Sequence, residues 1–333
     1  MVTMRDVALH AGVSTKTVSR VLRNEGYVRD QVRERVQASV KELQYVPNSL
    51  AVSFRAGREA AIGVAVPDVA DPFFAQIIRA VEAEAKARHI GVIVSSLGNE
   101  AAHEQEAVEN LLKRQIVGLI TCPVGPDQSY LRPWQSRTAM VFIDRTPGRL
   151  VADSVIEDDR GGGEVATAHL LELGHRRIAF IGDDYRFRTT ALRLEGYRAA
   201  LSSAGALADE ALVYLGATDP QAVDSALQAL RSLPDPPTAI FSSNARCTLD
   251  VVPALRRLYW QDVGLVSFGD FPMAESLTPP VTVIDQDPAG VGRFAAERLF
   301  ARIESPDRRM RRRTVLPVSL VVRDSGMTHA RPA

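Results

Sequence analysis

Thr15, Lys16, Thr17, Ser19 and Arg20 fall within six residues and carry the groups that read nucleic acid. Lysine and arginine donate to guanine O6 and N7, while hydroxyls reach bases or phosphates. Their spacing sets them apart from Val18, Val21 and Leu22, which lie on the apolar side of the same predicted helix. Upstream, Val7, Ala8 and Ala11 have helical spacing, Gly12 permits a sharp turn, Val13 can pack beneath it, and Ser14 is suited to cap the second helix. Two short helices joined by such a turn form a helix-turn-helix, whose second helix enters a DNA major groove.

Other elements must hold that pair in place. Residues 31–44 predict a third amphipathic helix with Val32, Val36, Val40 and Leu43 along one face. Pro47 disfavours helical geometry at Val46, and a new short helix over 48–55 would take Asn48 as its cap. From residue 60 onward, strands alternate with helices. Strands are expected at 62–66, 91–95, 117–121, 140–143, 177–181, 213–215, 239–242 and 314–318, and helices at 74–88, 104–114, 163–173, 193–204 and 220–232. This rhythm implies parallel sheets covered by helices on both faces, and two successive sets imply two lobes with a cleft between them.

Composition sets outer bounds. A chain of 333 residues exceeds a single core, and no apolar run reaches the roughly 18 residues of a membrane span. The N-terminus lacks a signal-peptide pattern, so a cytoplasmic location is expected. Cys122 and Cys247 read as reduced, structural thiols. Net charge is zero, yet residues 1–60 hold ten Lys/Arg and six Asp/Glu, leaving the head at +4 and the body at −4. A locally basic head is what phosphate binding requires. A second basic run, Arg308-Arg309-Met310-Arg311-Arg312-Arg313, reads either as a solvated loop or as another nucleic-acid contact.

The runs VALHAGVSTKTVSRVLRNEGYV, YVPNSLA and IGVAVPDVADPFF resemble the lactose-repressor/galactose-repressor (LacI/GalR) family. VFIDR at 141–145, HLLELGHRRIAFIG at 169–182, RLEGYRAAL at 193–201, PPVTVIDQDP at 279–288 and VSLVVRDS at 318–325 follow in the family's order, covering residues 2–325. The resemblance implies a helix-turn-helix head (1–46), a hinge helix (47–58) and a periplasmic-binding-protein-like body (59–327), followed by a tail (328–333). Its two parallel, doubly wound lobes would be 59–157 with 288–318, and 158–287 with 319–327.

By that resemblance Thr15, Lys16 and Arg20 contact bases, with a phosphate contact alone as the other reading of Lys16. Ser14, Thr17, Ser19, Asn24 and Tyr45 suit phosphates. Asn48 opens the hinge helix, Ala51 packs close to the groove floor, and Phe54 takes the place of the family's leucine wedge in the operator's minor groove. Its other reading is a packing contact between hinge and body.

Effector contacts implied by the resemblance are Phe73, Phe74, Asp144, Arg193 and Asn244, with Asp270 also a candidate. One of the two phenylalanines is expected to be core. The chain departs from the family at Asn244-Ala245, usually Asn-Asp, and at Ser267-Phe268-Gly269-Asp270, usually Gly-Phe-Asp-Asp. Loss of the first acid weakens discrimination for hydroxyl-rich ligands. The reading is a repressor controlled by a sugar or a derivative, and the alternative is an effector-independent DNA-binding protein with a vestigial cleft. The implied partners are near-palindromic operator DNA and a second copy of the chain. No leucine heptad follows the VVRDS strand, so a dimer is expected rather than a tetramer.

No cofactor, metal or membrane is implied. Arg160-Gly161-Gly162-Gly163 lacks both dinucleotide-loop spacing and a Walker lysine and reads as a helix-start turn. His175 reads as a structural turn residue. Neither a nucleophile elbow nor metal-ligand spacing is present, so catalysis is not expected.

Overall fold

The computed structural model describes residues 4–23, 28–43, 60–206, 208–217, 219–306 and 309–327. Helices α1 (Met4–His10), α2 (Thr15–Arg23) and α3 (Asp30–Glu42) close on Val7, Ala8, Ala11, Val18, Val21 and Val36. Gly12 has φ +63°, so the turn between α1 and α2 uses the left-handed region that glycine enters without a steric penalty. Ser14 Oγ accepts the Thr17 amide at 3.1 Å, the expected N-cap, and such a cap contributes about 1 kcal/mol. The expected hinge helix and tail lie outside the described residues, as do Asn24, Tyr45, Asn48, Ala51 and Phe54.

The body contains two six-stranded sheets. The first is formed by β1 (Ala61–Val66), β2 (Gly91–Ser96), β3 (Gly118–Thr121), β4 (Ala139–Ile143), β5 (Asp153–Glu157) and β11 (Arg313–Leu316), in the order β11-β5-β4-β3-β1-β2. All its pairings are parallel. Helices α4 (Pro72–Lys86) and α10 (Pro288–Glu304) bury Phe74, Ile77, Val81, Val291, Ala295 and Leu299 against one face. Helix α5 (Ala101–Leu112) places Val108, Leu111 and Leu112 against the other. Strands covered on both sides read as nearly continuous apolar runs, which explains why most of them are legible in the sequence.

The second sheet joins β6 (Ile178–Gly182), β7 (Val213–Leu215), β8 (Ala239–Ser242), β9 (Gly264–Phe268), β10 (Thr282–Asp285) and β12 (Ser319–Val321), in the order β12-β10-β9-β8-β6-β7. Helices α6 (Asp159–Glu172) and α7 (Arg188–Ser203) cover one face around Leu170, Phe180, Leu194, Tyr197, Phe241 and Phe268. Helices α8 (Pro220–Arg231) and α9 (Ala245–Arg257) cover the other around Val223, Leu227, Val251 and Ala254.

Strand β12 departs from the all-parallel expectation and runs antiparallel to β10. The chain leaves β11 at the carboxyl end of the first sheet and enters the second sheet from its carboxyl end, so the direction reverses. The chain passes between the sheets at β5 to α6, β10 to α10 and β11 to β12. The two sets of strand carboxyl ends therefore face one another.

Candidate DNA-contacting helix and ligand cavity

On α2, Thr15, Lys16 and Arg20 are exposed, as is Ser14 just before it, whereas Thr17 and Ser19 are half-buried. Val18 and Val21 face the core of the head, leaving the polar side outward. Lys16 and Arg20 form no ion pair among the described residues, so both cations are available. Ser14 and Thr17 share a hydroxyl hydrogen bond of 2.9 Å, which ties both to the start of α2.

A cavity of about 510 Å³ opens where the carboxyl ends of the two sheets meet. Open α/β sheets bind ligands at this end of their strands. Phe73, Phe74, Asp144, Arg193 and Asn244 all line it, brought together from both lobes. The Phe73 and Phe74 ring centroids are 5.1 Å apart and the rings are inclined at 70°. Phe74 belongs to the core beneath, while Phe73 is half-buried and offers the freer face.

Asp144 follows β4 in the left-handed region, at φ 62°, which turns its carboxylate toward Cys122 and Arg145. Arg145 Nε lies 3.1 Å from Asp144 Oδ2, an ion pair without hydrogen-bond alignment. The Arg145 guanidinium rests 4.4 Å from the Phe187 ring centroid. Arg193 is almost fully committed. It pairs with Asp159 at 2.7 Å, donates to the Ser243 carbonyl at 2.7 Å, and stacks 3.8 Å from the Phe268 ring centroid. Asn244 caps α9 by accepting the Cys247 amide at 2.7 Å, and its Nδ2 donates to Asp183 at 3.2 Å.

Asp270 does not line the cavity. Arg323 grips it with two hydrogen bonds of 3.2 and 2.7 Å, holding its carboxylate at the β10–β12 side of the second lobe. Consecutive residues past a strand end point in different directions, which sets Asp270 apart from the cavity. At Gly269, with φ +89°, a Cβ would come within 2.9 Å of Gln286 Oε1. The place of the missing acid is thus next to Gln286, a buried cavity residue whose side chain makes no hydrogen bond among the described residues.

Arg145, Phe187, Asp183 and Gln286 are cavity residues that sequence reasoning missed. Arg145 and Gln286 have a signal in VFIDR and VIDQDP, since each lies just past a strand end. Phe187 and Asp183 sit in the loop after β6, where no periodicity marks orientation.

Seven carboxylates and four arginines line the cavity. Burial pushes the Asp71 and Asp183 carboxyls above their ordinary range. Asp159, behind the cavity, rises to about 6 because burial outweighs its pairing with Arg193. Burial also drives Glu157 well above the usual carboxylate range, and neither of its oxygens has a hydrogen-bond partner. The cavity can therefore accept and donate hydrogen bonds around a polar ring, with an excess of carboxyl groups.

Residues 3–48 match the lacI family of bacterial regulatory proteins, and residues 167–326 match a periplasmic binding protein-like domain. The ribose operon repressor of Escherichia coli (strain K12) is 30% identical over 324 residues, covering 96% of this chain and 98% of that protein. The repressor PurR of Vibrio atlanticus (strain LGP32) is 29% identical over 318 residues, or 93% of this chain and 95% of the relative. Among solved structures, the lac repressor dimer bound to operator and the anti-inducer ONPF superposes with a TM-score of 0.71 at 27% identity, covering 98% of this chain and 99% of that one. The complex of the transcriptional regulator CelR with cellobiose gives 0.70 at 29% identity, covering 98% and 100%. With similarity running through both the helix-turn-helix head and the two-lobed body that holds the cavity, the chain belongs to the lacI family of DNA-binding transcriptional regulators.

Proposed function

We propose that this chain is a homodimeric repressor acting in the cytoplasm, without catalytic chemistry of its own. Residues 1–46 read one half of a near-palindromic operator, residues 47–58 act as a hinge, and the body over 59–327 binds the effector and the partner copy. One observation carries this reading: a single chain joins exposed, unpaired Lys16 and Arg20 to a 510 Å³ cavity with unspent polar groups. A cavity of that volume, with the Gln286 side chain unbonded, supports an effector over a vestigial cleft.

The effector is a neutral, hydroxyl-bearing molecule of about sugar size, with Asp144 and Asn244 as polar contacts, Phe73 as a stacking face and Arg193 as a largely prepaired support. Asp144 and Asp184 already hold Arg145 and Arg186, and Asp159 holds Arg193. The remaining carboxyls outnumber the remaining cation, Arg246, so a phosphorylated sugar meets repulsion.

Operator selection from random duplexes, followed by titration with free sugars and their phosphates, tests both halves of the proposal. Arg20→Ala should cost about 1–3 kcal/mol and relax preference at one base position per half-site. Unchanged specificity would remove Arg20 from the interface. A free sugar should raise the melting temperature and shift operator affinity, in either direction. Preference for the phosphate would overturn the effector class.

A further inference from the structure

We propose that the edge of the first lobe opposite the effector cavity is a second DNA-contacting surface, gripping phosphates of the duplex that flanks the operator. This rests on the DNA-binding reading of the head. Because the first sheet is wholly parallel, the amino ends of its strands share one edge, including Ala61 of β1 and Arg313 of β11. Ala61 opens the first strand after the DNA-contacting head, so the head's connection reaches the body at this edge. Four strand spacings of about 4.8 Å separate β1 from β11, placing the basic run roughly 19 Å to one side.

Arg309, Arg311, Arg312 and Arg313 are exposed there, and none forms an ion pair among the described residues. A second part of the chain adds to the same surface. Exposed Arg137, just before β4, and Arg312 line one shallow cleft of about 220 Å³. Asp153, the acid of that cleft, is already neutralised, with Arg302 at 2.8 Å and Arg298 at 3.8 Å. Among the described residues, exposed Glu304 at the end of α10 is the opposing acid. The surplus is positive.

Arg137 rests 5.1 Å from the Trp134 ring centroid, which holds it at this edge without neutralising its charge. Arginines without ion pairs, drawn from two chain segments onto one edge, match a polyanion. DNA presents one charge per about 1.7 Å, and its phosphates are bound without regard to sequence. Only sixteen residues separate Leu43 of the head from Ala60, so chain length alone keeps the two within about 60 Å of each other. A duplex held by the head therefore passes within tens of ångströms of this edge.

Binding is compared on a minimal operator and on one extended by about one helical turn at each end, across a range of salt concentrations. The wild-type chain should bind the extended duplex at least about tenfold more tightly. The triple variant Arg309→Gln, Arg311→Gln, Arg312→Gln should abolish that advantage, and its slope of log K against log salt should flatten by about 0.9 for each phosphate the arginines no longer neutralise. Arg137→Glu should have the same effect from the other segment, and lysine at the three positions should restore the advantage. Equal affinity of wild type and variants on the extended duplex overturns the proposal, and so does an equal weakening on both duplexes. Failure of the wild-type chain to bind even the minimal operator would instead overturn the DNA-binding reading.

Discussion

Glu157 sits at the end of β5, where the chain crosses to the second lobe, with its carboxyl buried and unpartnered. Nearby Asp144 and Asp159 disfavour a further negative charge, and Arg193 only partly offsets them. Its folded pKa is therefore raised, as is that of Asp159, which moves from 3.8 to about 6. Both groups keep protons in the folded chain that the unfolded chain has already released. Their contribution is thus most favourable below the unfolded value near pH 4 and is lost as pH rises through the folded value. Each unit of separation corresponds to about 1.4 kcal/mol. Glu157→Gln, which mimics the protonated acid, should leave stability unchanged near pH 4 and raise it progressively toward neutral pH. Melting curves from pH 4 to 8 check this, and a constant offset between the two proteins would refute it. Nothing in the sequence around Glu157 signals this burial, because an acid outside any apolar run reads as solvated. The cavity acids Asp71 and Asp183 are silent for the same reason, whereas Asp144 and Asn244 can be placed by their family landmarks.

Glycines decide how α6 and α7 meet. A Cβ on Gly163 would lie 2.4 Å from the Arg193 carbonyl oxygen, and one on Gly196 would lie 2.2 Å from that of Arg160. The glycine run reads from sequence as the turn that starts a helix, but α6 already begins at Asp159 and uses the glycines as a contact face. The close approach positions Arg193 on α7 against Asp159 on α6. Gly196→Ala should destabilise the second lobe by about 1–3 kcal/mol, since backbone rather than a flexible side chain must yield. Urea unfolding would measure this, and an unchanged midpoint would show that the helices can separate freely. Periodicity reveals many of the helices and buried strands, yet it misses β5, β9, β10, β12, α9 and α10 and starts α7 at 193 instead of 188. In β5, Asp153, Ser154 and Glu157 are buried polar residues that break the apolar run, with Asp153 neutralised by Arg302. Tertiary pairing overrides the local pattern there.

At the scale of the molecule, the proposed arrangement gives the two ends of the first sheet different partners. Matching a near-palindromic operator requires two heads about 34–36 Å apart, which one chain cannot supply. Sedimentation at micromolar concentration should therefore give about twice the 36.3 kDa chain mass, and an operator reduced to one half-site should bind far more weakly. A monomer with full affinity for a half-site would contradict the dimeric reading. The two-lobed architecture is legible from the alternation of strands and helices. The reversal of β12 is not, because strand direction depends on where the chain crosses between lobes.

The first lobe is also discontinuous in a way that orders events during synthesis. Its core requires Val291, Ala295, Leu299 and Phe300 from α10, and its edge is completed by β11, both lying beyond the entire sequence of α6 to β10. The small head, by contrast, closes on contacts confined to the first 43 residues. A nascent chain therefore acquires its DNA-contacting helix early, while the lobe adjoining it stays open on one face until nearly everything else has left the ribosome. Elongation itself separates the ability to touch DNA from the ability to hold it under effector control.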